Sequence, residues 1–127
     1  MKIKVLAVDD NAVQNSLVKK YFNGSEKIEI VGCALNGKEA IDIISNNKID
    51  FDIILLDMVM PILDGLGVLE YLKENNINKK VIVLSSFNEE DTISKASEYG
   101  VKYYALKPFA MEKLENIIIE KRRGNEN

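Results

Sequence analysis

The chain has 127 residues, enough for one domain with a sizeable core and too few for two domains of ordinary size. Apolar residues make up 46% and charged residues 29%, which is ordinary for a globular protein and far from disordered or fibrous classes. A net charge of −3 without a basic stripe argues against nucleic acid or an anionic membrane as partners. The absence of histidine removes histidine-dependent zinc sites, Ser-His-Asp triads and any histidine phosphocarrier role. No apolar run approaches the roughly 20 residues of a membrane span, and Met1-Lys2-Ile3-Lys4 leads straight into a strand, so the expected location is the cytoplasm.

In chain order, the first apolar run predicts a strand over 3–8, followed at once by Asp9 and Asp10. Asn11 is a candidate cap for a helix whose apolar residues Val13, Leu17 and Tyr21 recur at i, i+4 and which Gly24 closes. A second strand covers 28–33, where the single cysteine, Cys33, is expected as a buried small side chain. Asn36-Gly37 opens a helix burying Ala40, Ile41 and Ile44. The third strand, 52–56, ends at Asp57, and Asp64-Gly65 starts a helix with Leu66, Leu69 and Leu72 inside. The fourth strand, 80–85, ends in Ser85. Glu89-Glu90-Asp91 suit a helix N-terminus, but the inner face that follows is thin: Ile93, Ala96, Ser94 and Ser97. The fifth strand, 102–106, ends ahead of Lys107. A last helix uses Met111, Leu114, Ile117 and Ile118, with Lys121-Arg122-Arg123 complementing its negative end. One domain is expected over 1–123, with 124–127 a polar tail that is either a natural terminus or the start of a linker.

Five alternations of strand and helix predict an α/β fold with a parallel sheet, whose chemistry lies outside the carboxyl ends of the strands. Asp9, Asp10 and Asp57 then converge if the first and third strands are neighbours. Carboxylates so close raise each other's pKa unless a cation intervenes, and oxygen ligands without histidine favour Mg²⁺. Lys107 and the Ser85 hydroxyl could hold a phosphoryl group on the far side, with an aspartate as nucleophile. Taken singly, each residue reads as a helix cap, a strand end or a solvated lysine; taken jointly, five such residues at alternating strand ends read as one metal-phosphoryl site. A dinucleotide-binding domain would need glycines where Ala12-Val13 follow the acids, and an aspartyl-nucleophile phosphatase would want a second acid at Val59 and a cap domain.

Val8-Asp9-Asp10-Asn11, Leu56-Asp57-Met58-Val59-Met60-Pro61 with Asp64-Gly65, Leu84-Ser85-Ser86-Phe87 and Leu106-Lys107-Pro108-Phe109 together resemble the receiver domain of bacterial two-component response regulators, from the first strand through the fifth helix. Asn36-Gly37, Leu63-Asp64-Gly65-Leu66 and Ser86-Phe87 are most similar to the receiver of the sporulation master regulator of spore-forming Firmicutes. The resemblance implies a single doubly wound (βα)5 flavodoxin-like fold with strand order 2-1-3-4-5. It implies that Asp57 accepts a phosphoryl group from a phosphohistidine on a histidine kinase or histidine phosphotransfer protein. Asp10, Asp57 and the main-chain carbonyl of Val59 would ligate Mg²⁺, with Asp9 acting mainly through a water. Lys107 would pair with phosphoryl oxygens across a cis Lys107-Pro108 bond.

Ser85, where threonine is commoner, and Tyr104 would be the switch residues that move the face of the fourth helix, fifth strand and fifth helix. The chain would be a signalling domain rather than an enzyme, with only self-phosphorylation and self-dephosphorylation chemistry. It would control transcription through an effector domain absent from this sequence, or alternatively act as a stand-alone regulator through protein contacts or as a phosphorelay intermediate. It would be a monomer before phosphorylation, with dimerisation on phosphorylation left open. Val59 and Phe87, expected to flank the water that attacks the acyl phosphate, are apolar and offer it no hydrogen bond, which predicts slow loss of phosphate.

Overall fold

The computed structural model describes residues 1–86 and 89–124, with only the backbone of 122–124. Strands and helices alternate as β1 (Ile3–Val8), α1 (Ala12–Phe22), β2 (Ile28–Ala34), α2 (Gly37–Asn46), β3 (Ile53–Asp57), α3 (Gly65–Glu74), β4 (Lys80–Ser85), α4 (Glu90–Ser97), β5 (Tyr103–Leu106) and α5 (Met111–Gly124). All neighbouring strands are parallel, in the order β2-β1-β3-β4-β5, which is the flavodoxin-like receiver arrangement.

The continuous apolar runs arise because β1, β3 and β4 lie inside the sheet with helices on both faces. Alternate residues of each run go to opposite sides. Ile53, Leu55, Ile82 and Leu84 pack with Val18 and Phe22 of α1 and Leu114 and Ile118 of α5. Ile54, Leu56, Val81 and Val83 pack with Ala40 and Ile44 of α2, Val68, Leu69 and Leu72 of α3 and Ala96 of α4. At about 25 cal/mol per Å² of apolar surface, these two layers are the main source of stability.

Helix boundaries follow the caps. The Asn11 side chain accepts from the N–H groups of Val13 and Gln14, Asn36 from Glu39, and Asp64 from Gly67. Glu39 in turn accepts from the Leu35 N–H, completing a reciprocal pair at the start of α2. Helix α4 has no such side-chain cap, and Ala96 is its one buried residue.

Three sequence expectations need correction. Val13, Leu17 and Tyr21 form the outer face of α1; Asn15, Val18 and Phe22 face inward. Cys33 is exposed, because β2 is an edge strand with an interrupted burial pattern rather than a doubly covered one. Ser94 and Ser97 lie on the outside of α4, which makes its inner face thinner still.

Candidate functional site

The strand registers bring the predicted residues to one edge. Val8 pairs with Leu56, Asp57 with Leu84, and Ser85 with Leu106, so Asp9, Asp57, Ser85 and Lys107 stand at the carboxyl ends of β1, β3, β4 and β5. One carboxylate oxygen from each of Asp9, Asp10 and Asp57 lies within 4.8 Å of the others. Asp9 and Asp57 are buried, whereas Asp10 is exposed.

Lys107 closes the cluster. Its Nζ lies 2.8 Å from Asp9 Oδ2 and 3.3 Å from Asp57 Oδ2. Its backbone N–H donates to the Ser85 carbonyl at 2.7 Å, and the Lys107-Pro108 peptide is cis. The strand-end pairing thus ties the lysine stem to the residue carrying the candidate switch hydroxyl. Ser85 itself is buried.

Burial pushes the Asp57 carboxyl up from 3.8 to about 6; the Lys107 charge opposes this and the Asp9 charge adds to it. Burial also disfavours the Lys107 ammonium, but Asp9 and Asp57 outweigh it and raise the lysine pKa. The lysine therefore stays charged at neutral pH while Asp57 is held close to its ionisation point. Such a pairing is a physical mark of a functional site.

The two buried carboxylates are aimed by local structure. Asp9 Oδ1 accepts from the Asn11 N–H at 3.0 Å, and Asp57 Oδ1 from the Val59 N–H at 3.3 Å. Val59 projects from the loop after Asp57 and is exposed. Tyr104 lies on β5 opposite Val83, half-buried on the α2–α4 side of the sheet, with its hydroxyl donating to the Val101 carbonyl at 3.1 Å. The expected partner of Val59 in phosphate retention, Phe87, lies outside the described residues.

Two supporting residues were not singled out from sequence. Asn15, buried at the inner face of α1, donates from Nδ2 to the carbonyls of Asp9 and Ala34 at 3.0 and 3.1 Å, fixing the backbone that carries Asp9. A polar residue three positions ahead of the Val18-Phe22 pair was the available signal. Gly65 lets the start of α3 approach the end of β3. A Cβ there would stand 2.8 Å from the Asp57 carbonyl oxygen and 2.6 Å from Met58 Sδ.

Oxygen donors alone, close-set and backed by an ammonium at the carboxyl edge of a doubly wound sheet, are the arrangement of a receiver-type α/β domain. The model of the response regulator receiver domain matches residues 5–119, and the chain belongs to that family. Among solved structures, the receiver domain of AraT from Geobacillus stearothermophilus is 28% identical, with 99% of this chain and 97% of that one covered at a TM-score of 0.81. The Francisella response regulator 1452 receiver domain is 33% identical over 97% of this chain and 99% of that one, at a TM-score of 0.78. A chain of the CheX-CheY-BeF3-Mg²⁺ complex from Borrelia burgdorferi is 29% identical over 93% of this chain and 87% of that one, at a TM-score of 0.81. Two-component signalling by phosphorylation is consistent with this membership. Among the described residues, no helix is long and apolar enough to cross a membrane.

Proposed function

We propose that Asp57 is the phosphoacceptor of a two-component phosphorelay, taking its phosphoryl group from a phosphohistidine on a histidine kinase or histidine phosphotransfer protein. The observation that carries this reading is the Asp57 carboxylate clustered with the acids Asp9 and Asp10, with the Lys107 ammonium 3.3 Å from Asp57 Oδ2. The all-oxygen cluster fits Mg²⁺, to be held by Asp10, Asp57 and the Val59 carbonyl, with Asp9 acting mainly through a water. When bound, the ion neutralises charge on the acids and on the incoming phosphoryl group. Lys107 then releases its carboxylate partners and pairs with phosphoryl oxygens, while Asp57 supplies the attacking oxygen.

The Ser85 hydroxyl answers the new anion by hydrogen bonding, and Tyr104 turns inward behind it. Helix α4 follows readily, since it lacks a side-chain cap and buries only Ala96. Output passes through the α4-β5-α5 face to an effector domain that controls transcription. The likeness of Asn36-Gly37, Leu63 to Leu66 and Ser86-Phe87 to the sporulation regulator supports entry into sporulation as the process controlled. The chain works in the cytoplasm as a monomer before phosphorylation.

Donor docking is supported by an apolar rim. Val13 and Leu17 on α1, Leu35, Val59, Ile62 and Leu106 are all exposed, and all but Leu17, midway along α1, lie within a few residues of a strand's carboxyl end. An apolar helical surface around a phosphohistidine would cover these residues and dry the site.

The test is transfer from a labelled phosphohistidine phosphotransfer protein in Mg²⁺. Label should move to this chain, fail to move to Asp57→Asn, and move at least tenfold more slowly to Leu17→Ser, which leaves the acids intact. Transfer to Asp57→Asn at the native rate would refute the assignment.

A further inference from the structure

A cavity of about 500 Å³ lies at the amino edge of the sheet, the end remote from the acids. Its walls are the last turns of α3, the connection into β4, and the segment between α4 and β5. That volume is in the range of small-molecule sites. Four lysines line it, Lys73, Lys79, Lys80 and Lys121, and among the described residues no carboxylate does, although acids outnumber bases by 20 to 17 in the chain.

The cations are held by rings and a carbonyl. Lys73 Nζ lies 5.6 Å from the Tyr99 ring centroid. Lys79 Nζ donates to the Phe51 carbonyl at 2.8 Å and sits over the Phe51 ring, while Lys121 is buried over the Tyr103 ring. Burial lowers the pKa of Lys121, and the charges of Lys102 and Lys80 lower it further, as expected where positive potential accumulates. Asn76 and Asn78 add amide donors at the mouth, and Tyr99, 37% exposed, adds ring surface.

We propose that this cavity is a binding site for a small molecule bearing a di- or triphosphate group. Lys73 and Lys80 neutralise the phosphates and the two asparagines hydrogen-bond them, in a pocket whose described lining holds no acid to repel the ligand. The ligand is either a nucleoside polyphosphate, with its base against Tyr99, or free polyphosphate. The site abuts the connection from α4 to β5, whose Val101 carbonyl holds the Tyr104 hydroxyl.

The experiment is an amide-resonance titration of the full chain with ATP, with pyrophosphate and with adenosine, in metal-free buffer at constant ionic strength. Saturable shifts should appear at Asn76, Asn78, Lys80, Tyr99 and Gly100, and adenosine alone should produce none of comparable size. Tighter binding of ATP than of pyrophosphate assigns the nucleotide, and equal binding assigns free polyphosphate. The double variant Lys73→Gln/Lys80→Gln should weaken binding about tenfold while lowering the melting temperature by no more than a few degrees, since neither lysine is in the core. Shifts that do not saturate, that sodium chloride reproduces, or that the double variant leaves unchanged would overturn the proposal.

Discussion

Lys107 Nζ lies closer to Asp9 Oδ2, at 2.8 Å, than to Asp57 Oδ2, at 3.3 Å. The ammonium is thus shared by an acid assigned to the metal and the acid assigned to the phosphoryl group. It is in electrostatic competition with any cation the three carboxylates bind.

That competition predicts opposite effects from one substitution. Lys107→Met should bind Mg²⁺ about tenfold more tightly, because a charge a few ångströms away opposes the ion. The same variant should be phosphorylated at least tenfold more slowly, having lost a partner for the phosphoryl oxygens. Calorimetric titration with Mg²⁺ and the initial rate with a small phosphodonor measure the two effects.

The raised pKa of Asp57 gives a pH dependence with a definite sign. The folded state holds the Asp57 proton more tightly than the unfolded chain, so this group's stabilisation is full below about 3.8 and is lost as pH rises through about 6. In chelator at pH 7.5, Asp57→Asn should be more stable than the native protein by about 1 kcal/mol, allowing for solvent screening. At pH 4 the difference should nearly vanish, and saturating Mg²⁺ at pH 7.5 should narrow it. Urea denaturation across pH reads it directly.

Asn15→Ala would leave the carbonyls of Asp9 and Ala34 without the bonds Asn15 Nδ2 now supplies. A loss of about 1–2 kcal/mol in unfolding free energy is expected, chiefly from the Asp9 carbonyl, since the Ala34 carbonyl keeps the Asp9 N–H as a donor. Weaker Mg²⁺ binding by the folded variant should accompany it, as the backbone behind Asp9 loosens.

Gly65→Ala forces a methyl against the Asp57 carbonyl and Met58. A cost of about 2–3 kcal/mol follows from this overpacking, and the phosphorylation rate should fall because the end of β3 must shift. Chemical denaturation with a phosphodonor assay on the folded fraction separates the two losses.

Phosphate lifetime should answer to Val59, beside the acceptor, and to Phe87, the position expected to act with it. Val59 is exposed next to Asp57 and gives a water no hydrogen bond. Val59→Asn combined with Phe87→Glu should shorten the acyl-phosphate half-life by about tenfold or more. Decay of the phosphorylated form in excess chelator-free buffer measures it, and an unchanged half-life would limit these positions to shaping the surface.

The sheet was legible because double burial leaves an unmistakable trace. Ile53 to Leu56 and Val81 to Leu84 are buried throughout, so their apolar runs needed no choice between faces. Edge strand β2 has no such constraint, and Cys33 was placed inside by its apolar neighbours alone. Helix α1 carries apolar residues on two faces. Its outer stripe, Val13, Leu17 and Tyr21, has the regular spacing, while the inner one starts with a polar Asn15 whose bonds are to distant carbonyls.

The acids and Lys107 could be grouped from sequence because a parallel sheet delivers every strand end to one edge. Gly65 could not, since its importance lies in a close approach that only the three-dimensional packing creates.

The central claim is that Asp57 takes the phosphoryl group, and intact mass after incubation with Mg²⁺ and phosphoramidate or acetyl phosphate tests it most directly. One phosphoryl group should be gained, none in Asp57→Asn, and none after chelation of the metal. Absence of any adduct with either donor, or an adduct that persists in Asp57→Asn, would contradict the account.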